Sequence, residues 1–180
     1  MTAIPFVTLD PPTSMDLDQA FHLERLPGPG SRAGYRLRYA IADVAAFVAS
    51  GSAIAAEAAT RVTTVYCPDR RITLYPPSLS EAAASLLPDG PRPAVVWTID
   101  IDADGVTTAI EVRRAMVRSR AKLDYAGVQQ SVETGTAEGS VALLREVGET
   151  LAAAERVRGG MSMRSPEQEV HAASDGTLEL

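Results

Sequence analysis

Asp10, Asp16 and Asp18 stand in one short segment, Thr8-Leu9-Asp10-Pro11-Pro12-Thr13-Ser14-Met15-Asp16-Leu17-Asp18-Gln19-Ala20, that carries no cationic side chain. Pro11 and Pro12 fix their own φ, and Pro11 pushes Asp10 out of the helical region, so the segment reads as a stiff, extended loop. Two carboxylates about 5 Å apart at an effective dielectric near 20 repel by roughly 3 kcal/mol. A fold that gathers three of them therefore needs a counter-cation, and the nearest basic residue along the chain, Arg25, lies well downstream. Hard oxygen ligands in a fixed loop suit Mg²⁺ or Mn²⁺, which keep several waters and accept phosphate oxygens. The chemistry this implies is metal-assisted phosphoryl transfer. Spacing alone equally fits aspartates that cap backbone amides in turns, or a calcium-binding surface loop.

The loop resembles the metal-binding signature of the ribonuclease II catalytic domain, the RNB family of 3′→5′ exoribonucleases. That pattern has an aspartate at a strand end, a loop of small residues, then Asp-x-Asp-Asp before a strand. Asp10, Asp16 and Asp18 match its first three acidic positions, and Gln19 stands where most members have the fourth. The resemblance continues in order through Tyr39-Ala40-Ile41-Ala42-Asp43-Val44, Val65-Tyr66-Cys67-Pro68, Leu74-Tyr75-Pro76-Pro77-Ser78-Leu79-Ser80 and Ala121-Lys122-Leu123-Asp124-Tyr125.

The resemblance implies Mg²⁺-dependent (Mn²⁺ as the alternative) hydrolysis of single-stranded RNA from its 3′ end, releasing nucleoside 5′-monophosphates. Asp10 and Asp16 would hold and orient the metal, and Asp18, with Asp16, would be catalytic. Gln19 would add a carbonyl ligand without charge. Tyr66 matches the family tyrosine that stacks on the 3′-terminal nucleotide, a contact worth about 1–3 kcal/mol that ignores base identity; without the resemblance it reads as a core tyrosine. Arg113, Arg114, Arg118, Arg120 and Lys122 form the dense basic cluster, equally a solvated strand face or a phosphate-contacting wall, with Arg118 and Lys122 the candidates for RNA. Asp69-Arg70-Arg71 is likewise a surface turn or an RNA contact. Asp43 either supports the metal loop or caps a turn. The rival reading is a non-catalytic RNA-binding or regulatory relative, motivated by Gln19.

The net charge of −6 is awkward for a nucleic-acid binder, since non-specific affinity comes from Lys and Arg releasing counterions. An acidic chain must concentrate its positive charge or borrow it from other domains. The family's cold-shock-like and S1-type domains have no counterpart here, so residues 1–180 are expected to be the N-terminal portion of the catalytic domain. The single cysteine, Cys67, excludes an intramolecular disulfide. The sequence shows neither a leader pattern nor a membrane-length apolar run, which predicts a cytoplasmic protein, with a monomer as the favoured state. His22 and His171 are too isolated to be ligands, and Ser14, Ser78 and Ser80 fit no nucleophile elbow.

The elements that must position these groups read as an α+β domain, a largely antiparallel twisted sheet with flanking helices. Strands are expected over 21–26 and from Tyr35, joined by a Gly/Pro-rich turn, and over 94–102 and 106–119 around Asp104-Gly105. Ser52 should cap a helix over 53–62, and Ser78-Leu79-Ser80-Glu81 reads as a capping box whose helix ends at Pro88. Helices are also expected from Asp124 and over 140–158, the latter with Leu143, Leu144, Val147 and Leu151 on one face. Residues 169–180 read as a last hairpin around Asp175-Gly176.

Overall fold

The computed structural model describes residues 1–28, 34–67, 70–161, 171–172 and 177–179. Its strands are β1 (Phe6–Leu9), β2 (Gln19–Arg25), β3 (Tyr35–Ala42), β4 (Val65–Tyr66), β5 (Arg71–Ile72), β6 (Arg92–Ile101), β7 (Thr107–Val117), β8 (Ser119–Leu123), β9 (His171–Ala172) and β10 (Leu178–Glu179). The helices are α1 (Ala53–Arg61), α2 (Tyr125–Glu133) and α3 (Gly139–Val157). Six strands make one sheet in the order β7-β6-β3-β2-β1-β8, antiparallel except for the parallel pair β1–β8. The pairs β4–β5 and β9–β10 stand apart from it. This is the expected α+β class.

Both long hairpins form for the reasons the sequence offers. At the β6–β7 turn Gly105 takes φ +80°, and Asp102 Oδ1 accepts from the amides of Asp104 and Val106. Ser52 Oγ accepts from the Ala55 amide to start α1, and Asp124 Oδ1 accepts from the Gly127 amide to start α2. The β9–β10 pair lies within the span expected for the last hairpin; its turn at Asp175-Gly176, like Pro29, Gly30, Pro68 and Asp69, lies outside the described residues.

Three expectations are corrected. The run 106–119 is not one strand, because the chain breaks at Arg118 and β8 crosses to the far edge of the sheet to pair with β1. A single residue thus joins the two edge strands, so their ends lie within about 7 Å and the sheet must curl until its edges meet. The Met1 amino group donating to the Met116 carbonyl, and Arg120 donating to the Thr2 carbonyl, close the same seam. Second, the capping box does not form. Ser78 is helical rather than extended and caps nothing; the Leu79 and Ser80 amides bond back to the Pro76 carbonyl, leaving one wide turn over Leu79–Ala83. Third, Leu151 is exposed, while Val147 is buried and Leu143 and Leu144 pack beside it.

Inside the curl lie Phe6, Leu17, Ala20, Ala40, Leu86, Ala94, Val96 and Val117. Ala20 on β2 faces Ala40 on β3, and Ala42 on β3 faces Ala94 on β6, small pairs that leave room for the sheet to bend around two large anchors, Phe6 and Leu17. On the outer face α3 covers β2 through Val147 against Leu23 and Tyr35. Ser140 Oγ accepts from the Leu23 amide and meets His22 Nδ1 at 3.0 Å, and His22 Nε2 lies 3.6 Å from Glu24, so both ring nitrogens have neighbours in the fold. Among the described residues no helix is long and apolar enough to cross a membrane.

Candidate metal and RNA site

The strand order brings the acidic segment to one end of the sheet. Asp10 follows β1 and its amide donates to the Leu123 carbonyl at the end of β8; Asp18 precedes β2 and its carbonyl accepts from the Ala42 amide at the end of β3. The loop between them is pinned through its own backbone. Leu17, with 0% of its surface exposed, is driven into the core between two aspartates. Burying such a side chain is worth about 1.5–3 kcal/mol, enough to hold its charged neighbours at the rim. Ser85 Oγ accepts from the Leu17 amide at 3.0 Å and donates to the Met15 carbonyl at 2.6 Å, and the Leu86 amide donates to the Leu17 carbonyl at 2.7 Å. These contacts explain why the helix expected after Ser78 is cut short.

Lys122, on β8, completes the support. Its ammonium donates to the carbonyls of Pro12 at 2.8 Å and Ser14 at 2.5 Å, holding the loop from beneath. Two of its three donors are thus used on the protein, in place of the free RNA-facing cation the sequence implied. Arg71, on β5, reaches Asp16 at 3.1 and 3.2 Å through Nη1 and Glu81 at 2.5 Å through Nη2. The counter-cations of the acidic loop are therefore Lys122 and Arg71, both remote in sequence. Arg25 serves elsewhere, paired with Glu146.

The carboxylates still outnumber their partners. Burial pushes the Asp10 carboxyl above the usual range, the charges of Asp18 and Asp16 push it further, and Lys122 offsets part of this. Asp18 is raised by burial against a backbone hydrogen bond that lowers it, with Asp16 adding to the rise. Asp10 Oδ2 is buried with no hydrogen-bond partner, an uncommon and costly state for a carboxylate oxygen. Among the described residues no three acidic, histidine or cysteine side chains already converge on an ion-sized position. The donor set nonetheless fits a hard divalent cation: it would satisfy the orphaned oxygen and reverse the repulsion that raises both carboxyls.

Gln19 opens β2, and its Oε1 accepts a hydrogen bond from the Tyr39 hydroxyl. One lone pair of that oxygen is already in use. Tyr66 stands on the β4–β5 hairpin with 73% of its surface exposed, so it is not a core residue. Arg118 is exposed at the seam of the sheet. The rest of the basic cluster is dispersed: Arg113 approaches Glu111 at 3.8 Å, Arg114 Nε bonds Asp43 Oδ2 at 2.6 Å, and Arg120 holds Thr2. Asp43 is buried and serves Arg114, with no side-chain bond capping the turn that follows it. Sequence reading misses Ser85 and Arg71 as supports of the loop. The one local sign is Leu17, an apolar residue between two aspartates that has to be buried somewhere.

The RNB domain family model matches residues 1–179. Exoribonuclease 2 of Pasteurella multocida (strain Pm70) is 38% identical over 134 residues, which is 74% of this chain and 20% of that protein. The chain thus spans about one fifth of the length of the curated relatives it matches. Mycoplasma genitalium RNase R, solved in complex with double-stranded RNA, superposes with a TM-score of 0.83 at 26% identity, covering 99% of this chain and 32% of that one. Yeast Ssd1, described as a pseudonuclease, shares the fold with a TM-score of 0.67 at 16% identity over 81% of this chain and 17% of its own. With an acidic loop presented at one sheet end and a family match reaching from its first residue to its 179th, the chain belongs to the RNB-domain family of 3′→5′ exoribonucleases.

Proposed function

We propose that residues 1–180 form the N-terminal part of a catalytic domain that hydrolyses single-stranded RNA from the 3′ end to nucleoside 5′-monophosphates, using Mg²⁺ or Mn²⁺. The observation that carries this reading is the orphaned, buried Asp10 Oδ2 beside two further carboxylates, an arrangement that costs stability unless a cation is bound. Asp10, Asp16 and Asp18 would hold the cation, which supplies water activation and neutralises charge on the scissile phosphate. Lys122 and Ser85 keep the loop in shape, and Leu17 fixes the order of the three carboxylates along the rim. Tyr66 offers an aromatic face to the terminal base, and Arg118 an exposed positive charge to the RNA backbone.

The test is Asp18→Asn in the full-length protein. Hydrolysis of a labelled single-stranded RNA in Mg²⁺ is expected to fall by about 10²–10³-fold, the loss typical of removing one preorganised electrostatic group. RNA affinity should stay within a few-fold, because affinity comes from phosphate contacts and stacking. Near-normal turnover would remove Asp18 from the mechanism.

A second reading, a relative that binds RNA without turnover, is favoured by one observation: Tyr39 occupies the Gln19 carbonyl at the position where most members have a fourth acid. It predicts RNA binding with no mononucleotide release by the wild-type full-length protein at any Mg²⁺ or Mn²⁺ concentration.

A further inference from the structure

Arg71 joins two regions that the sequence keeps apart. Within the β4–β5 hairpin it is the cross-strand partner of Tyr66, and its guanidinium leaves the hairpin to grip Asp16 in the acidic loop and Glu81 in the wide turn. Each strand of this hairpin has only two residues, and a two-stranded hairpin of that size is marginal without outside support. On its α1 side the support is visible: Leu74 donates its amide to Thr64 Oγ1 at 3.1 Å, and Arg61 donates to the Thr73 carbonyl at 3.0 Å. On the side of the acidic loop the support is the forked guanidinium, whose planar donors fix direction as well as distance.

We propose that Arg71 is a positioning residue that fastens the Tyr66-bearing hairpin to the acidic loop and so sets the distance between the base platform and the carboxylates. The inference rests on the reading of Tyr66 as the platform for the terminal nucleotide. In that geometry the span from Tyr66 to Asp16 decides how many nucleotides lie between the gripped base and the bond that is cut. A loosened Arg71 would blur that count without removing any group that touches the reacting atoms. Asp16 keeps further lone pairs while bonded to Arg71, so the tie and a bound cation are compatible.

Cys67, the one cysteine of the chain, lies next to Tyr66 and allows a nitroxide to be placed on the hairpin without further substitution. In the protein without RNA or metal, the wild-type label should be restrained. Arg71→Gln should shorten its rotational correlation time by at least about twofold, as expected when a held segment becomes a loop moving on the nanosecond scale. Asp16→Asn should act in the same direction, and Arg71→Lys should restore part of the restraint. Salt near 1 M should mimic the loss in the wild type, because it screens the ion pairs. Amide hydrogen exchange of the unlabelled hairpin gives the same comparison without the nitroxide, and serves if the labelled variant fails to fold.

In the full-length enzyme Arg71→Gln should broaden the limit-product ladder and raise KM on short RNAs more than it lowers kcat. Unchanged label motion and unchanged exchange in Arg71→Gln would overturn the proposal. A loosened hairpin with an unaltered ladder would leave the tie standing and overturn the platform role of Tyr66 instead.

Discussion

The two ends of the sheet handle charge in opposite ways. At the end where α3 packs, carboxylates meet guanidinium groups one for one: Glu146 with Arg25, Asp100 with Arg36, Glu24 with Arg38. Arg25 and the Tyr35 hydroxyl hold the Glu146 carboxyl below its usual range, and Arg36 does the same for Asp100. At the other end Asp10 and Asp18 are held above it, chiefly by burial and then by neighbouring carboxylates. The same fold thus solves its electrostatics where α3 docks and leaves them unsolved at the acidic loop. An unsolved site is the one prepared to take a ligand of opposite charge, at a cost in stability while that ligand is absent.

The largest loss of stability is expected when the support of the acidic end is removed. Lys122→Met deletes two charge-assisted hydrogen bonds to loop carbonyls while keeping the aliphatic stem. A loss of about 2–3 kcal/mol in urea unfolding is expected, given roughly 1.5–3 kcal/mol for each bond to a charged group and some replacement by water. A loss near zero would mean that Leu17 and Ser85 alone hold the loop.

A smaller effect of opposite sign tests the strain itself. Asp10→Asn removes one of three repelling charges, so the metal-free protein should become more stable by about 0.5–2 kcal/mol at pH 7. For a chain of this size that is a rise of roughly 2–4 °C in Tm per kcal/mol, read by calorimetry in EDTA. Because the folded Asp10 carboxyl sits above its unfolded value, the wild type regains stability as pH falls through the folded value. The gap between the two proteins should therefore close in acid. Mg²⁺ should stabilise the wild type and do little for the variant. A variant less stable than wild type at neutral pH would contradict the assignment of strain to these carboxylates.

The smallest effect is expected at the paired end. Glu146→Gln should cost little, as exposed ion pairs do, and the cost should run with the opposite pH dependence. The Glu146 carboxyl is held low in the fold, so its contribution is present above the ordinary carboxylate range and is lost as pH falls through the folded value. Urea midpoints of the two proteins should differ at pH 7 and converge as the Glu146 carboxyl becomes protonated in acid, below its ordinary range. A constant difference across that range would show that the substitution perturbs packing and not charge.

Legibility followed sequence distance. The β2–β3 and β6–β7 hairpins, the caps at Ser52 and Asp124 and the run of α3 are all written within windows of a few residues, in alternation, turn residues or capping oxygens. The expected strand over 106–119 runs through the break at Arg118 because nothing there has turn chemistry; only the pairing of β8 with β1 reveals it. The capping box at Ser78 fails for a tertiary reason, since Ser85 and Leu86 are claimed by the acidic loop. The three aspartates stand out from the chain's own pattern and Tyr66 only through the family resemblance, whereas the partners of the loop do not. Lys122 lies 110 residues from the Pro12 carbonyl it holds, and Arg71 lies 55 from Asp16. No local pattern announces contacts of that length.

The parallel pairing of β1 with β8 also has a consequence for the order in which the molecule can be made. Hairpins β2–β3 and β6–β7 close over short connections, as does β1 on β2, whereas the β1–β8 pair joins strands more than a hundred residues apart, and long-range pairings of this kind are the slow ones. A nascent chain emerging from the ribosome carries all three aspartates well before the residues that brace them. Until Leu123 is available to bond the Asp10 amide and Lys122 to hold the Pro12 and Ser14 carbonyls, the acidic loop lacks those two braces.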